Sequence, residues 1–546
     1  MTESIMFLLA GLGAFLVGFK VLSENIGKLA SNAMRKMFNK ISSNKFAGVA
    51  IGAGATALIQ SSAATTVMLI GFVNAGLITL FQAAPIIMGA NVGTTITAII
   101  LSLDAVDVPL YAMVLALVGI FGSMVAKREK TKTIFLAIAG MGLVFFGLKT
   151  MSSSMKSLAD GPDSVVGKAM SSVSFPLLLF LFGAFFTIIL QSSTAVTGIL
   201  LSMAGAEIVI GNGGNSIYFV ILGTNVGTCL TAIISSMGAS TNAKRTAMIH
   251  LLFNVIGSLV FLIVLWVWPG FNDFWSSLIG SPKMRIALFH MSFNLITTMI
   301  FLPLSDVLVK VTMGIIPDRT NKKKKSDLAM LDDRLLNSPG VAVGAVLVAT
   351  QSMADVSMRA LTTAFNGFVD KDTSAKEKVV ELMSKAAGIN ADITSYLVKI
   401  SAQDIGLALE KSVSAVYTSI TDIERLAELA DNVTRYTAHY VEEELVFSDT
   451  VITELKDMYA KIQQLFSESR KFIDLENKNN LDEAERLEDE VDAYKKTLLA
   501  GHMQRLNEGK CRPESSGVFI NLVNNLERAG DHLLFIAAAF CDAKDK

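Results

Sequence analysis

Two short strings carry the chemistry of this sequence. Gln60-Ser61-Ser62-Ala63-Ala64-Thr65-Thr66 and Gln191-Ser192-Ser193-Thr194-Ala195-Val196-Thr197 each gather hydroxyls around one carboxamide. Both sit in apolar runs without charge: residues 46–103, 169–206 and 208–243 contain no Asp, Glu, Lys or Arg. Polar groups at membrane depth are costly unless they face protein or a water-filled cavity, so by default they mark a functional site. Carboxamide, hydroxyl and freed carbonyl oxygens suit Na⁺, while the free N–H groups and positive dipole end of a helix start suit an anion. An anion held without Lys or Arg would be balanced by helix dipoles and co-bound cations. Cation-coupled anion transport fits that set better than a proton relay, which calls for buried Asp, Glu or His. Ser and Thr in membrane helices often bond only their own backbone or a neighbouring helix, which would explain a single Ser-Ser pair. Two copies of the longer pattern favour a site.

The elements that must position these strings follow from composition. The chain has 546 residues, 52% of them hydrophobic and 17% charged, with a mean hydropathy of +0.51. Up to about residue 316 it is a series of apolar runs of the roughly 20 residues a bilayer span needs; from about 326 it is charged and amphipathic. The expected organisation is all-α: a polytopic membrane domain over 1–317, a Lys-rich linker over 318–338, and a helical domain over 339–546. The net charge of −1 and the lack of a basic face give no reason to expect nucleic acid as a partner. Cys229, Cys511 and Cys541 are scattered, without disulfide or metal spacing. Glu3 and the missing basic n-region make residues 5–22 a retained first span.

The membrane domain is duplicated. Ala10 to Lys20 is echoed by Ala139 to Lys149, Gln60-Ser-Ser by Gln191-Ser-Ser, and Gly89-Ala-Asn91-Val-Gly-Thr94 by Gly223-Thr-Asn225-Val-Gly-Thr228, all in the same order. Repeats are expected at about 5–126 and 133–268. Basic residues at Lys28, Arg35, Lys36, Lys40 and Lys45, at Lys127 to Lys132, at Lys244 and Arg245, and at Arg319 to Lys325 mark cytoplasmic segments. Asp104 and Asp107 mark an external loop, and Trp266, Trp268 and Trp275 an external interface. The N-terminus is then outside and the C-terminal domain cytoplasmic. This closes only if both Gln-Ser-Ser segments enter and leave on one side. The run from Phe46 to Ile59 would be a helix of roughly 21 Å, too short for a hydrocarbon core of about 30 Å. Each string is therefore expected to break a re-entrant helical hairpin. Spans near 5–22, 82–101 and 109–126 form one half, and 133–150, 215–234 and 243–268 the other, inverted; a seventh lies near 284–303. Asn91, Thr94, Asn225 and Thr228 read either as site residues or as helix-break residues that satisfy freed backbone. Arg245-x-x-x-x-His250-x-x-x-Asn254 and Arg285-x-x-x-x-His290-x-x-x-Asn294 form a smaller repeat. The two His could gate transport or sense pH; the preferred reading is Arg as an interface anchor, with His and Asn bonding neighbouring helices.

The strings Gln60-Ser-Ser-Ala-Ala-Thr-Thr, Pro85 to Thr95 and Gln191-Ser-Ser-Thr resemble the type II sodium/phosphate cotransporter family over roughly residues 5–310. The resemblance implies Na⁺-coupled movement of inorganic phosphate by alternation of the two repeats, without enzymatic activity. It implies Ser61, Ser62, Ser192 and Ser193, with Asn91 and Asn225, as phosphate contacts. Gln60, Gln191, Thr65, Thr66, Thr94, Thr194, Thr197 and Thr228 would line sodium sites. Ala63 and Ala64 stand where animal members usually have a fuller Ser/Thr run.

Beyond the linker the periodicity predicts six helices, near 339–368, 373–400, 402–446, 450–477, 480–509 and 514–541. Glu424-Arg425-x-x-Glu428-x-x-Asp431 and Glu527-Arg528-x-x-Asp531 lie in the third and sixth. Carboxylates at i and i+4 share a helix face and could share a metal; from spacing alone, a solvated face with local ion pairs is the better reading. The strings resemble the PhoU family of phosphate-response regulators over roughly 340–546, which implies a six-helix bundle able to bind divalent or iron-type metal at Glu424, Glu428, Asp431, Glu527 and Asp531. The whole reads as a multi-pass inner-membrane symporter with sodium, phosphate and the lipid bilayer as partners. A phosphate exporter, a non-transporting phosphate sensor, and sulfate or arsenate as substrate stay open, as does a homo-oligomer.

Overall fold

The computed structural model describes residues 2–39, 44–103, 108–159, 173–317, 331–403, 405–474 and 480–543, and every regular element among them is a helix. The chain divides into two compact units. One holds the described residues up to 317 together with Asp332–Val341, and the other those from Ala342 onward.

The first unit is built on helices whose backbones touch. α1 (Thr2–Asn39) packs along α6 (Glu129–Ala159). A Cβ on Gly11 would lie 3.1 Å from the Gly147 carbonyl oxygen, and one on Gly147 2.6 Å from that of Gly11; Gly18 and Gly140 stand in the same reciprocal relation at 2.9 and 2.8 Å. Gly11 and Gly18 are the repeat equivalents of Gly140 and Gly147. Each meets the other's counterpart, so equivalent helices cross antiparallel, the relation that inverted repeats require. Small residues permit this approach, which matters where lipid supplies no hydrophobic drive for helix association.

The same device seats the two hairpins. α2 (Lys45–Ile59) lies on α4 (Leu80–Leu101), and α7 (Pro176–Leu190) on α9 (Ser216–Ser235). A Cβ on Gly52 would come 1.9 Å from Ile86 O, one on Gly89 2.0 Å from Val49 O, one on Gly183 2.0 Å from Val220 O and one on Gly223 1.9 Å from Phe180 O. The glycines of the Gly-x-Asn-Val-Gly-Thr motif thus serve close packing. α4 and α9 run unbroken through Asn91 and Asn225, so the helix-break reading of these residues does not hold. The breaks fall after α2 and α7, where α3 (Ser62–Asn74) and α8 (Ser193–Gly205) begin.

α5 (Val108–Val125) packs on α6. α10 (Thr241–Val267) lies against α3, α4 and α9, and α12 (Pro282–Phe301) against α4, α8 and α9; the short α11 (Phe271–Leu278) and α13 (Ser305–Ile315) complete this unit. Helices long and apolar enough to cross a membrane are α1 over Thr2–Ala30, α4, α6 over Glu129–Leu158, α9, α10, α12 and α14 (Pro339–Asp370). The first six match expected spans, and the expected span near 109–126 is α5.

A short 3₁₀ turn, Asp333–Asn337 with Asp332 as its N-cap, is clasped to this unit. Asp332 accepts from Asn74 Nδ2 at 2.6 Å and from Arg334 Nη1 at 2.7 Å, Arg334 Nε donates to Ser235 O at 2.6 Å, and buried Leu335 covers Gly71.

The second unit is six-helical: α14, α15 (Ala375–Ser401), α16 (Leu407–Glu442), α17 (Asp449–Phe472), α18 (Asp482–Asn507) and α19 (Ser516–Asp542). The apolarity of α14 belongs to its core, with Phe365 stacked on Tyr459 and Phe368 against Tyr440. α16 and α19, which carry the two acidic strings, pack together, and Asn525 Nδ2 donates to Leu429 O at 2.9 Å.

Gly223→Ala should destabilise the membrane unit by about 1–3 kcal/mol, since the added methyl drives two backbones apart. Gly13→Ala, with no atom within 4 Å of its added carbon, should be neutral or slightly stabilising. Thermal unfolding of both variants in detergent checks the contrast.

Candidate functional site

The two tips are built alike. α2 ends at Gln60, which takes the left-handed conformation (φ 60, ψ 22). Ser61 is extended, and its Oγ accepts the N–H of Ala64 at 3.2 Å, capping α3. In the second hairpin Gln191 has φ 50 and ψ 25, and Ser192 Oγ accepts from Ala195 N at 3.1 Å, capping α8. The string Gln-Ser-Ser thus spells helix end, N-cap and first helical residue, and Ser is among the preferred N-caps. A left-handed glutamine costs about 1–2 kcal/mol. Ser62 and Ser193 open the first turns of α3 and α8, both buried.

The tips differ in their surroundings. Gln60 is buried: Nε2 donates to Ala57 O and Oε1 accepts from Thr97 Oγ1, both at 2.5 Å. Gln191 is exposed. Thr56 Oγ1 donates to Thr65 Oγ1 at 3.0 Å, and Thr65 donates to Ser61 O at 3.1 Å, stapling the first hairpin across its break. Val196 takes the place of Thr65 in the second. The repeat-equivalent Thr66 and Thr197 are both buried, and neither hydroxyl has a protein partner among the described residues.

The motif residues behind the tips divide. Asn91 Nδ2 donates to Ile87 O at 3.1 Å and Thr228 Oγ1 to Thr224 O at 3.0 Å, each within its own helix. Asn225 reaches across to α12: its Nδ2 donates to Asn294 Oδ1 at 3.0 Å, and its Oδ1 faces His290 Nε2 at 2.9 Å. Thr94, Thr194 and Thr197 meet in one pocket with Ala98, Leu101 and His290. First-repeat Thr94 is thereby joined to the second hairpin. From sequence a helix-bonding role for His290 is preferred to gating or pH sensing. Its bond to Asn225 agrees with that role, while its place in the pocket wall was signalled only by the repeat of His250 and His290.

In the second unit the carboxylates regroup. Glu424 accepts from Asn390 Nδ2 at 2.6 Å, Glu428 pairs with Arg425, Asp431 with Arg435, and Glu527 with Lys495 at 2.8 Å. Asp531 instead joins Glu488 and Asp492 of α18, with ligand atoms within 4.8 Å of one another. Burial, and then the charges of Asp492 and Asp531, push the Glu488 carboxyl up to about 7. Three crowded, half-buried carboxylates are a donor set that fits a hard divalent cation. Glu488 and Asp492 lie outside the acidic strings that the sequence reading singled out.

The family model described as Na⁺/Pi-cotransporter matches residues 14–153 and 154–292, just over half of the chain, in two copies. The chain belongs to the Na⁺/Pi-cotransporter family. That family is one of transporters, and its two matches meet at 153/154, within α6. The PhoU domain model matches 350–437 and 455–539, again in two copies, within the six-helix unit. Among curated relatives, the Escherichia coli K12 protein named "Putative inorganic phosphate export protein YjbB" is 22% identical over 100% of this chain and 98% of its own length. Bacillus subtilis YqeW is 29% identical over 56% of this chain and 95% of its own. Mouse sodium-dependent phosphate transport protein 2A is 38% identical over 18% of this chain and 15% of its own. No solved structure is significantly similar. Multiple apolar helices and this membership make the chain a multi-pass membrane protein of a phosphate-transporter family, fused to a PhoU domain.

If Glu488, Asp492 and Asp531 hold a divalent cation, saturating Mn²⁺ should raise the melting temperature of the full-length protein. A hundredfold excess over Kd corresponds to about 2.7 kcal/mol. Glu488→Gln should melt higher than the parent without metal, because it removes a crowded carboxylate, and should lose most of the Mn²⁺ response.

Proposed function

We propose that this protein is a sodium-coupled carrier of inorganic phosphate that works by alternating access around its two hairpin tips. The observation that carries the reading is the matched pair of tips. In each, a left-handed glutamine ends one half-helix and a capping serine begins the next, in a charge-free run within its own repeat. The opening turns of α3 and α8 offer backbone N–H groups, hydroxyls and a positive dipole end to an anion. Ser61, Ser62, Ser192 and Ser193 hold the phosphate in this reading. Carbonyls at the ends of α2 and α7, with Gln60, Gln191, Thr66, Thr94, Thr194 and Thr197, supply oxygen to sodium. The asymmetry of the tips, Gln60 buried and Gln191 exposed, is what one end state of an alternating carrier would have.

The loop charges support a cytoplasmic PhoU domain and an external N-terminus. In this reading the PhoU domain sets transport activity and holds its divalent metal on Glu488, Asp492 and Asp531. Export is the second reading, favoured by the name of the relatives that match over the full chain. Either direction can run on the same site, because the ion gradients decide.

Labelled-phosphate flux in oriented proteoliposomes tests both. Uptake that needs Na⁺ on the phosphate side, rather than K⁺, is expected. Ser62→Ala and Ser193→Ala should each cut flux to background in protein that is still inserted and melts normally. Removal of Ala342–Lys546 should alter the control of flux while phosphate binding persists. Binding without counterflow would replace the carrier with a sensor.

A further inference from the structure

His290, on α12, carries a consequence for which oxyanion the site accepts. Its tautomer is assigned by the bonds around it. Asn294 Nδ2 donates to His290 O at 2.9 Å, so Asn294 presents Oδ1 to Asn225 and receives Asn225 Nδ2 at 3.0 Å. Asn225 must then present Oδ1 to His290 Nε2 at 2.9 Å, and that nitrogen carries the hydrogen. In a neutral ring Nδ1 is consequently bare, an acceptor that cannot donate. His290 is 1% exposed, and Nδ1 has no protein partner among the described residues.

His290 lines one pocket with Thr94 and with Thr194 and Thr197 of α8; the Thr197 hydroxyl likewise has no protein partner among the described residues. Hydroxyls can turn to donate or accept, but Nδ1 has one requirement: a hydrogen. The pocket holds no space that a water molecule could occupy, so a bound anion requires its walls to part.

We propose that His290 is a specificity-determining residue, whose Nδ1 accepts the hydrogen of a bound hydrogen phosphate. This rests on the phosphate-carrier reading above. Phosphate keeps at least one hydrogen throughout the physiological pH range, as does arsenate. Sulfate has none, and would set an oxygen lone pair against the nitrogen lone pair with both desolvated. A site built around a hydrogen bond rejects the analogue that lacks it, because its own buried group is left unpaired. Neither the dipoles of α3 and α8 nor the serine hydroxyls distinguish these anions. Asn225 is the positioning residue: by fixing the hydrogen on Nε2, it keeps Nδ1 an acceptor.

The test measures inhibition of labelled-phosphate flux in proteoliposomes by arsenate, sulfate and fluorophosphate, a near-isostere whose fluorine replaces the hydroxyl and which carries no hydrogen at neutral pH. With the unmodified protein, arsenate should compete about as well as phosphate, and sulfate and fluorophosphate at least about tenfold more weakly, the scale of one hydrogen bond to a charged group. His290→Gln, which can still donate to Asn225, should weaken phosphate and arsenate about tenfold and leave fluorophosphate unchanged, collapsing the discrimination. Fluorophosphate matching arsenate on the unmodified protein would overturn the proposal without any variant being needed. So would a His290→Gln protein that keeps full discrimination, or one altered only in its Na⁺ dependence. No phosphate flux by the unmodified protein would fell the carrier reading, and this proposal with it.

Discussion

A helix that stops at membrane depth leaves backbone groups that nothing in the lipid can satisfy, and the membrane unit is arranged around two such stops. Each is closed by the same local means: a glutamine that turns the chain left-handed, then a serine that caps the next helix. The first four N–H groups of α3 and α8 are only partly used by those caps. The first residues of these helices, Ser62 and Ser193, are buried. In the carrier reading this is what makes a ligand site: groups that are buried and not all paired internally are available to something polar from outside. The helices behind the tips need no charge of their own, which agrees with charge-free runs that include both hairpins and both Asn motifs.

The repeats share this device but not its furnishings. The first hairpin is stapled by Thr56 and Thr65 and anchored to α4 through Gln60 and Thr97, whereas the second has Val196 in place of Thr65 and an exposed Gln191. Behind the tips, Asn91 bonds within its own helix while Asn225 is drawn to His290 and Asn294. The bond of Asn91 thus stays within its repeat, whereas Asn225 is met by a helix outside it. The duplicated scaffold carries two unlike halves, one bonded within its own repeat at Asn91 and one bonded to α12 at Asn225.

Much of this was legible in the residues because it is local. The half-helices were visible as apolar runs too short for a bilayer, the breaks as Gln-Ser-Ser, and the six helices of the second unit as amphipathic segments whose ends fall within a few residues of those observed. What was not legible depends on contacts between distant positions. Glycine inside an apolar run reads equally as a break or as a close approach. Only the carbonyls of Val49 and Phe180 settle that Gly89 and Gly223 are the latter. His290 lies 65 residues from the Asn225 it bonds, and no spacing rule links them. The carboxylate cluster is similar: Asp531 belongs to a recognisable string, but Glu488 and Asp492 come from a helix with many acidic residues and no pattern to single them out.

The glycine contacts also determine where this molecule can bend. Two helices held apart by side chains can slip, because rotamers re-seat as one surface passes another. Two helices whose main chains touch have nothing between them to re-seat, and a displacement of even one residue would drive a side chain into a carbonyl. α2 with α4, α7 with α9, and α1 with α6 are therefore struts, each moving as one piece or not at all. Any large excursion of the fold must be taken up at its side-chain seams, where α3 meets α10 and α8 meets α12. Those seams also carry Thr66 and Thr197, whose hydroxyls have no protein partner among the described residues, and His290.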